Sequence, residues 1–447
     1  MEKPDFTIPV LGKPTFRLSS ISRKKDIGRT SYVNDDQYIL YDIAVTGELP
    51  NRNNNRNNLI EKAGPKEIIY FDPSKVHAGI VTCGGLCPGL NDVIRAIVMN
   101  LWYRYGTKRI SGFRYGYRGL LSKFKHPVME LKPEIVSKIH SLGGTILGAS
   151  RGYGDCVEEI VDTLERMKIN MLFIIGGDGT QKGALDISEE VKKRDLKISI
   201  VGIPKTIDND LSFVETSFGF ETAVSRAVDA VSCAHVEAHD GVNGIGIVKV
   251  MGRESGFIAA NTAMAVNDVN YVLVPEVRFD IEGENGLFAN LERRLKQRNH
   301  AVILVAEGAG QEYMKDSRAT DASGNVKFND IGVFLKERIG EYFKMKGIDI
   351  NLKYIDPSYM IRSAPANSND SIYCTKLGAY AVHAAMAGKT EMIVSLIHSR
   401  FVHVPIRLVV FGRKRIDPHQ EIWRDVIEAT GQPLLLQERR TTPRAEN

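Results

Sequence analysis

Two short segments rich in glycine and aspartate, each directly after an apolar run, constrain this chain more than any other feature. The first reads Gly-Gly-Asp-Gly-Thr at residues 176–180, follows the apolar run 171–175 and precedes a helical pattern. The second reads Pro-Lys-Thr-Ile-Asp-Asn-Asp at residues 204–210 and follows the apolar run 198–203. A strand that ends in a polar loop before a helix is typical of α/β proteins, which bind ligands at the carboxyl ends of their strands.

The glycines of the first segment are suited to phosphate. Without a Cβ, their backbone amides can approach phosphate oxygens closely, and the positive end of the following helix dipole favours an anion. Asp178 itself would repel phosphate, so its position makes sense if Mg²⁺ lies between them, because this cation binds carboxylate and phosphate oxygens together. The alternative is a tight strand-to-helix turn with a solvated Asp178.

The second segment carries candidate catalytic groups. In an extended chain alternate side chains point the same way, so we expect Thr206, Asp208 and Asp210 to present their oxygens to one site. A carboxylate there can accept the proton of an attacking hydroxyl, and Lys205 offers positive charge to a transferring phosphoryl group. Taken alone, the segment is also compatible with an Asx-rich turn. Together, the two segments predict an enzyme that transfers a phosphoryl group to a small-molecule hydroxyl.

Other nucleotide-binding motifs do not fit. The glycines of the first loop are one residue out of step with the dinucleotide fingerprint, and the loop lacks the Gly-Lys-Ser/Thr ending of a Walker motif. Residues 388–390 have that ending, but no apolar strand leads into them, so we interpret them as a helix end with a glycine cap. An oxidoreductase is disfavoured, because no dinucleotide fingerprint with an acidic ribose partner follows a strand.

The alternation of apolar runs and helical patterns from residue 76 onward predicts the fold. Strands separated by helices are typical of parallel sheets that are covered on both faces. We therefore expect an α/β protein with two doubly wound, mainly parallel-sheet domains, a catalytic cleft between them and an N-terminal extension. The predicted strands lie at residues 78–82, 171–175, 198–202, 244–250, 271–275 and 300–306.

The two ends of the chain differ in composition from the rest. Residues 1–75 contain an Asn/Arg-rich stretch near residue 54 and little apolar periodicity, which predicts an N-terminal extension with a loop there. Residues 437–447 are polar and predict a poorly ordered tail.

Charge and hydropathy limit the kinds of partner and the cellular compartment that we expect for this protein. Lys and Arg total 59 and Asp and Glu total 54, without a basic block, so we expect neither nucleic acid nor a membrane as a partner. The chain shows no membrane-length apolar stretch and no signal-peptide pattern, and its five cysteines are typical of reduced thiols. These features favour the cytoplasm.

Together, the motifs resemble those of the phosphofructokinases, in the same order from about residue 76 to residue 412. The resemblance implies Mg²⁺-dependent transfer of the γ-phosphoryl group of ATP to the 1-hydroxyl of fructose 6-phosphate, giving fructose 1,6-bisphosphate in glycolysis. It also implies a homo-oligomer, a tetramer or a dimer. Diacylglycerol and nicotinamide-dinucleotide kinases share only the first loop. The matching segments are residues 84–91, 143–151, 176–179, 204–210, 251–253 and 307–308.

Carried over by position, the resemblance assigns roles to individual residues. Asp208 would be the general base and Asp178 the Mg²⁺ ligand. The groups that would steady the transferring phosphoryl group are Thr206, Arg253 and the backbone of Gly85, in addition to Lys205, whose charge suits the same task. The residues that would bind ATP are Gly85, Tyr115, Arg151, Gly177, Asp178, Gly179 and Thr180. Those that would bind fructose 6-phosphate are Thr206, Asp208, Asp210, Met251, Gly252, Arg253, Glu307, Tyr359 and Arg362, the last on the 6-phosphate.

The same resemblance implies which substrate each of the two domains binds. A nucleotide- and Mg²⁺-binding domain would comprise residues 76–225 and 363–412. A sugar-phosphate-binding domain would comprise residues 226–362 and 413–436.

Two positions bear on the phosphoryl donor. Relatives that use pyrophosphate tend to have Asp at the position of Gly179, where a carboxylate would exclude the α-phosphate of ATP, so Gly179 favours ATP. Lys205 instead resembles the pyrophosphate-using branch. The combination, together with Asp-Pro-Ser-Tyr at residues 356–359, is most similar to the ATP-dependent enzymes of plants and trypanosomatids. We predict ATP, with pyrophosphate as the alternative.

A nucleotide-sensing protein on the same scaffold is a further alternative. It would require the loss of the base or of the metal-binding carboxylate. Both Asp208 and Asp178 are present, which favours an enzyme.

Overall fold

The computed structural model of the chain describes residues 4–17, 32–44, 58–314 and 328–433. The loop predicted near residue 54 and the tail predicted at residues 437–447 lie outside these described residues. The chain divides into two compact units. The first comprises Met1–Thr222 and Arg362–Arg413, and the second comprises Ala223–Ile361 and Lys414–Asn447.

The strands and helices follow one another along the chain. The strands are β1 Phe16–Arg17, β2 Tyr38–Leu40, β3 Leu59–Glu61, β4 Ile68–Ile69, β5 His77–Thr82, β6 Arg109–Phe113, β7 Met129–Glu130, β8 Met171–Gly176, β9 Ser199–Pro204, β10 Gly244–Val250, β11 Tyr271–Leu273, β12 His300–Ala306, β13 Asn351–Ile355, β14 Met392–Ile397 and β15 Arg400–Pro405. The α-helices are α1 Leu90–Met99, α2 Pro133–Val136, α3 Val157–Arg166, α4 Asp178–Lys193, α5 Phe220–Asp240, α6 Phe257–Val266, α7 Leu287–Arg298, α8 Ile331–Met345, α9 Ser358–Arg362, α10 Ser368–Met386, α11 Ile406–Val410 and α12 Glu421–Thr430.

In the described part of the first unit, a seven-stranded sheet has the order β15-β14-β9-β8-β5-β6-β7. The five inner strands run parallel to one another, and the edge strands β15 and β7 run antiparallel to their neighbours. Every residue of β5, β8 and β9 is buried, as expected for a parallel sheet covered on both faces. The apolar runs at residues 78–82, 171–175 and 198–202 are therefore central strands.

The second unit is built on a smaller parallel sheet. Among its described residues, four strands have the order β11-β12-β10-β13, and each neighbouring pair is parallel. The apolar core of this unit is formed by β10, β11 and β12 with residues of α7 and α8. The prediction of an α/β fold with mainly parallel sheets is confirmed. Within the described ranges, no helix has the length and apolar character needed to cross a lipid bilayer.

The described residues of the N-terminal extension pack into the first unit. Phe6 and Ile60 lie in the apolar core of this unit. The chain just after β3 lies beside the edge strand β15, where Lys62 forms an antiparallel bridge with Val402. The extension thus covers an edge of the large sheet, which would otherwise present unpaired backbone groups.

A buried carboxylate accompanies this packing. Glu61, at the end of β3, lies 2.9 Å from Lys389 Nζ and 3.8 Å from Lys66 Nζ. The buried His403 places its Nδ1 3.3 Å from Glu61 Oε1. Burial by itself would raise the pKa of Glu61, but His403 and Lys389 outweigh burial and lower the pKa to about 2. Ionised Glu61 therefore stabilises the fold at neutral pH.

The Glu61→Gln variant is expected to be less stable than the wild type at pH 7, by on the order of 3 kcal/mol. Because the folded-state pKa lies below the ordinary value of 4.5, this stabilisation is present above pH 4.5 and is lost as the pH falls towards about 2. Thermal unfolding at pH 7 and at several values down to pH 3.5 measures the difference, which should shrink in acid.

The matched control is Glu67→Gln. Glu67 pairs with Arg17 at 2.8 Å, but the side chains are 50% and 72% exposed, and such a surface pair contributes about 0–1 kcal/mol. Equal losses of stability in the two variants, or a Glu61→Gln loss that does not change with pH, would contradict the assignment.

Candidate active site

Three loops of the first unit start level with one another at one edge of the large sheet. The parallel register pairs Thr82 with Ile175 and Gly176 with Pro204. Beyond these pairs, the backbone N–H of Cys83 donates to the carbonyl of Ile175 at 2.9 Å, and that of Lys205 donates to the carbonyl of Gly176 at 3.0 Å. The loops that begin at residues 83, 177 and 205 are therefore held side by side.

Lys205 lies underneath the first of these loops. Its side chain is buried, and its Nζ donates to the carbonyl oxygen of Gly85 at 2.8 Å. Burial lowers the pKa of Lys205, and the neighbouring Arg151 lowers it further. A Cβ on Gly84, whose φ is +85°, would lie 3.0 Å from the same Nζ, so the loop follows the lysine closely. The Lys205 charge is thus coupled to the position of the Gly84–Gly85 backbone.

Asp178 opens helix α4 from the second loop. Gly177 is the residue before the helix, and Asp178 stands in its first turn. The guanidinium of Arg413 donates to Asp178 Oδ2 at 3.1 Å, and both side chains are about one-third exposed, at 29% and 34%. Arg413 was not predicted, because it lies 235 residues from Asp178 and no local pattern marks it.

The two residues after Asp178 differ in their surroundings. Gly179 is exposed, and a Cβ built on it meets no atom within 4 Å. Thr180 is buried with its side chain against Gly176, and its carbonyl accepts a hydrogen bond from Tyr117 Oη at 2.7 Å. The loop is therefore accessible at Gly179, whereas the Thr180 side chain packs inside the turn.

Asp178 can bind a magnesium ion if phosphate and water oxygens supply the other ligands. Across the parts of the chain that the structure describes, no group of three or more His, Cys, Asp or Glu side chains is arranged to hold a metal ion. Asp178 offers a single, partly exposed carboxylate at the start of a helix. Mg²⁺ commonly binds through one or two carboxylates and takes its other ligands from phosphate oxygens and water. Asp178 therefore fits a cation that arrives with a phosphate.

The prediction that residues 204–210 are extended beyond Lys205 is wrong. Asn209 takes a left-handed φ of 55°, which Asn tolerates better than most residues, and the chain turns. Thr206 Oγ1 donates to Asp210 Oδ1 at 2.8 Å, and the backbone N–H of Asp208 donates to Thr206 Oγ1 at 3.3 Å. The side chain of Asn209 supports the turn by accepting from the Ser217 backbone N–H at 3.0 Å. The turn, rather than strand alternation, brings Thr206 and Asp210 together.

Tyr115 and Arg151 are placed next to the Gly84–Gly85 loop. The Gly84 N–H donates to the carbonyl of Ser150 at 2.9 Å, and the Ser150 hydroxyl donates to the carbonyl of Tyr115 at 2.6 Å. Arg151 Nη2 would lie 3.8 Å from a Cβ on Gly85. These contacts place Tyr115 and Arg151 beside the Gly84–Gly85 loop.

In the second unit, two further predicted segments meet at the ends of β10 and β12. Glu307 N–H donates to the carbonyl of Val250 at 2.9 Å, and Gly308 N–H donates to the carbonyl of Gly252 at 3.0 Å. Gly252 has a φ of 130°, so a side chain there would be strained. Met251 is buried, whereas Arg253 and Glu307 bring charged side chains to this pair of turns.

The guanidinium of Arg253 lies over the ring of Phe328, 4.8 Å from its centroid. A cation above an aromatic face is attracted by the ring quadrupole, so Phe328 helps to orient Arg253. Phe328 was not predicted, because it belongs to none of the motifs and nothing in its sequence neighbours marks it.

Tyr359 and Arg362 lie on the short helix α9. Strand β13 pairs in parallel with β10, with Val248 opposite Ile355, so α9 starts at the same edge as the turns of the second unit. Tyr359 is 81% exposed, whereas Arg362 is half-buried. The predicted residues thus divide between the units: Met251, Gly252, Arg253, Glu307 and Tyr359 belong to the second, and the others, including Arg362 at the boundary, belong to the first.

Comparisons with known proteins agree on one family. A family model described as Phosphofructokinase matches residues 77–385. The chain is 54% identical over 442 residues to an ATP-dependent 6-phosphofructokinase of Borreliella burgdorferi, covering 97% of this chain and 98% of the relative. It is 48% identical to ATP-dependent 6-phosphofructokinase 7 of Arabidopsis thaliana, with 84% and 77% covered. It is 46% identical to the ATP-dependent 6-phosphofructokinase of Trypanosoma brucei brucei, with 91% and 84% covered.

Solved structures share the fold at much lower identity. A pyrophosphate-dependent phosphofructokinase from Marinobacter aquaeolei aligns with a TM-score of 0.66 and 19% identity, covering 79% of this chain and 91% of the other. A phosphofructokinase from Pichia pastoris aligns with a TM-score of 0.61 and 21% identity, covering 82% and 38%.

Proposed function

The chain belongs to the phosphofructokinase family, and from this membership we propose that it transfers the γ-phosphoryl group of ATP to the 1-hydroxyl of fructose 6-phosphate, giving fructose 1,6-bisphosphate in glycolysis. The observation that carries the proposal is the 54% identity, along 97% of the chain, to an ATP-dependent enzyme. The presence of both chemical carboxylates, Asp178 and Asp208, supports it.

Asp208 is the general base of the proposed reaction. The 1-hydroxyl oxygen forms a bond to the γ-phosphorus, its proton passes to the Asp208 carboxylate, and the bond between the γ-phosphorus and the β,γ-bridging oxygen breaks to release ADP. The turn at residues 206–210 supports this role, because the hydrogen bond from Asp208 N–H to Thr206 restrains the backbone that carries the carboxylate. Thr206 is itself held by Asp210.

The Gly84–Gly85 loop stabilises the transferring group. A backbone amide at Gly85 can donate to a phosphoryl oxygen without interference from a Cβ. Lys205 supports the loop by donating a hydrogen bond to the Gly85 carbonyl. The lysine charge therefore lies next to the loop backbone. Thr206 and Arg253 complete the group of donors that the family resemblance assigns to this step.

Asp178 would hold the Mg²⁺ that accompanies the nucleotide. When bound, this cation supplies charge neutralisation for the phosphates. Gly177, Gly179 and Thr180 form the turn around Asp178. Tyr115 and Arg151 line the nucleotide side, which their placement beside Gly84 supports.

The sugar phosphate is held by residues of both sequence halves. Met251, Gly252 and Glu307 bind the fructose moiety, together with Asp210. The 6-phosphate is bound by Arg362, next to Tyr359 on α9. The division of labour between a nucleotide- and Mg²⁺-binding domain and a sugar-phosphate-binding domain follows the same assignment.

Gly179 favours ATP over pyrophosphate as the donor, and Lys205 is compatible with either. A Cβ placed on Gly179 would have no protein atom within 4 Å, so a larger donor meets no protein side chain there. Lys205, the residue that suggested pyrophosphate, bonds to the backbone of a loop that either donor would use. Its presence therefore does not discriminate between the donors.

The compartment and the assembly are part of the proposal. All five cysteines are free thiols, which supports a reducing compartment such as the cytoplasm. A homo-oligomer, a tetramer or a dimer, follows from the family resemblance. Fructose 6-phosphate and ATP are the small-molecule partners.

The purified protein is expected to form fructose 1,6-bisphosphate from fructose 6-phosphate with ATP, and to lose this activity when EDTA removes Mg²⁺. A coupled assay with ATP and, separately, with pyrophosphate measures both donors. Turnover with pyrophosphate alone would overturn the donor, and the absence of turnover with either donor would overturn the function.

Asp208→Asn is expected to lower kcat by at least about 10²-fold and to change the KM for fructose 6-phosphate little, because an amide cannot accept the proton but keeps the shape of the side chain. Asp195→Asn is the matched control, since Asp195 is 88% exposed beside Lys197 and away from the described loops. Unchanged turnover of the Asp208 variant would remove this residue as the base.

Gly179→Asp is expected to raise the KM for ATP about tenfold or more, because the added carboxylate lies near the nucleotide phosphates and repels them. The fold should survive, since the new Cβ meets no atom within 4 Å. Gly340→Asp in α8, which also has open space around its Cβ, controls for an aspartate introduced into a helix. Equal ATP kinetics in both variants would contradict the role of Gly179 in donor selection.

A further inference from the structure

Lys249 joins three elements of the second unit beside the residues proposed to bind the sugar phosphate. It lies on β10, close to the end of the strand, and its side chain is only 11% exposed. Its Nζ lies 2.7 Å from Asp330 Oδ2 and 2.9 Å from Asp356 Oδ2. One ammonium therefore bridges two carboxylates that come from different parts of the chain.

Each of these carboxylates also organises the start of a helix. Asp330 accepts hydrogen bonds from the backbone N–H groups of Gly332 and Val333, at 2.9 and 3.1 Å, and so caps α8. Asp356 accepts from the backbone N–H of Ser358 at 3.0 Å and from its hydroxyl, and so shapes the turn into α9. The position of Lys249 is thus transmitted to the beginning of both helices.

Helix α9 depends on this anchor more than α8 does. It contains five residues, and Ile361 is its buried member. Tyr359 and Met360 are 81% and 73% exposed. A helix of this length is not stable by itself, and one buried side chain contributes little packing. The turn at Asp356 therefore decides where α9, which carries Tyr359, begins.

The same network reaches the turn after β12. Gln311 Nε2 donates to the carbonyl of Glu307 at 2.7 Å and to that of Asn329 at 3.1 Å. The Asn329 backbone N–H donates back to Gln311 Oε1 at 3.2 Å. Since Asn329 directly precedes Asp330, the turn that carries Glu307 is connected through Gln311 to the carboxylate on Lys249.

The carboxylates of Asp330 and Asp356 are stabilised by the positive charge of Lys249. Burial alone would lower the pKa of Lys249, but Asp330 and Asp356 outweigh burial and raise it, so the side chain is an ammonium at neutral pH. Both carboxylates lie within 3 Å of the same nitrogen. Without the ammonium, two partly buried carboxylates would face each other and would move apart or take up water.

We propose that Lys249 is a positioning residue for fructose 6-phosphate. It fixes the positions of α9 and of the turn that carries Glu307 relative to the end of β10. The proposal rests on the function proposed above, because Arg362 and Glu307 are assigned to the sugar phosphate there. Lys249 acts through Asp356 and Asp330 and does not itself touch the substrate. The consequence is specific to the sugar side of the reaction.

The test compares Lys249→Met with Lys249→Arg. The methionine removes the charge and keeps the length, and we expect it to raise the KM for fructose 6-phosphate roughly tenfold or more, with the KM for ATP changed less than about twofold. The arginine restores a cation that can bridge two carboxylates and should recover most of the loss. Lys353→Met, an exposed position on β13, is the matched control and should behave like the wild type.

Hydrogen exchange gives a second measurement that needs no substrate. The backbone amides of residues 358–361 should exchange faster in Lys249→Met than in the wild type, and Lys249→Arg should restore their protection. If Lys249→Met does not fold, Asp356→Asn replaces it, because it weakens the link to α9 while leaving the Asp330 cap of α8 intact.

The outcomes separate this proposal from the proposed function. Unchanged KM values and unchanged exchange in the variants, or equal rises in the KM for both substrates, would overturn the role of Lys249. If the wild type forms no fructose 1,6-bisphosphate, the function fails, and the exchange of residues 358–361 still decides whether Lys249 positions α9.

Discussion

The register of three parallel strands is the constraint on which the first unit depends. Because β5, β8 and β9 are neighbours, and because the hydrogen bonds from Cys83 and Lys205 continue the ladder beyond their ends, three loops leave the sheet at one level. In a parallel ladder the hydrogen bonds are evenly spaced, so these bonds carry the pairing of the strands into the first residue of each loop. The Gly84–Gly85 loop, the start of α4 and the 206–210 turn are consequences of this register, and so is the short distance between Lys205 and the Gly85 carbonyl.

Buried charges recur where one element must be held against another. Lys205 holds a glycine loop, Lys249 holds the start of two helices, and Glu61 lies among cations where the N-terminal extension meets the large sheet. A buried ion pair is a weak source of net stability, since the desolvation of both ions opposes their attraction. Its value lies in geometry, because an ion that loses its partner is strongly destabilised, and alternative arrangements of the loops are thereby disfavoured. The activity proposed here requires that kind of fixed backbone more than it requires additional stability.

The pattern of the sequence predicted the elements that depend on local chemistry. The central strands were visible as apolar runs, and the loop at residues 176–180 was visible because glycine and aspartate follow such a run. The prediction for residues 204–210 had the wrong conformation, since strand alternation was assumed where Asn209 makes a turn. The turn still brings Thr206 to Asp210, so the side-chain pairing survived the error in the backbone.

The residues that escaped prediction share one property, which is that their partners are distant in the sequence. Arg413 meets Asp178 and Asp330 meets Lys249 across separations of 235 and 81 residues. The sequence by itself determined the α/β class, and it predicted a phosphate-type loop and two candidate carboxylates, because each of these is encoded within a few neighbouring residues. Only the tertiary structure decided which cation stands beside which carboxylate and how Lys205 is used. Those contacts depend on strand order and strand register. Neither the order nor the register can be inferred from a few neighbouring residues.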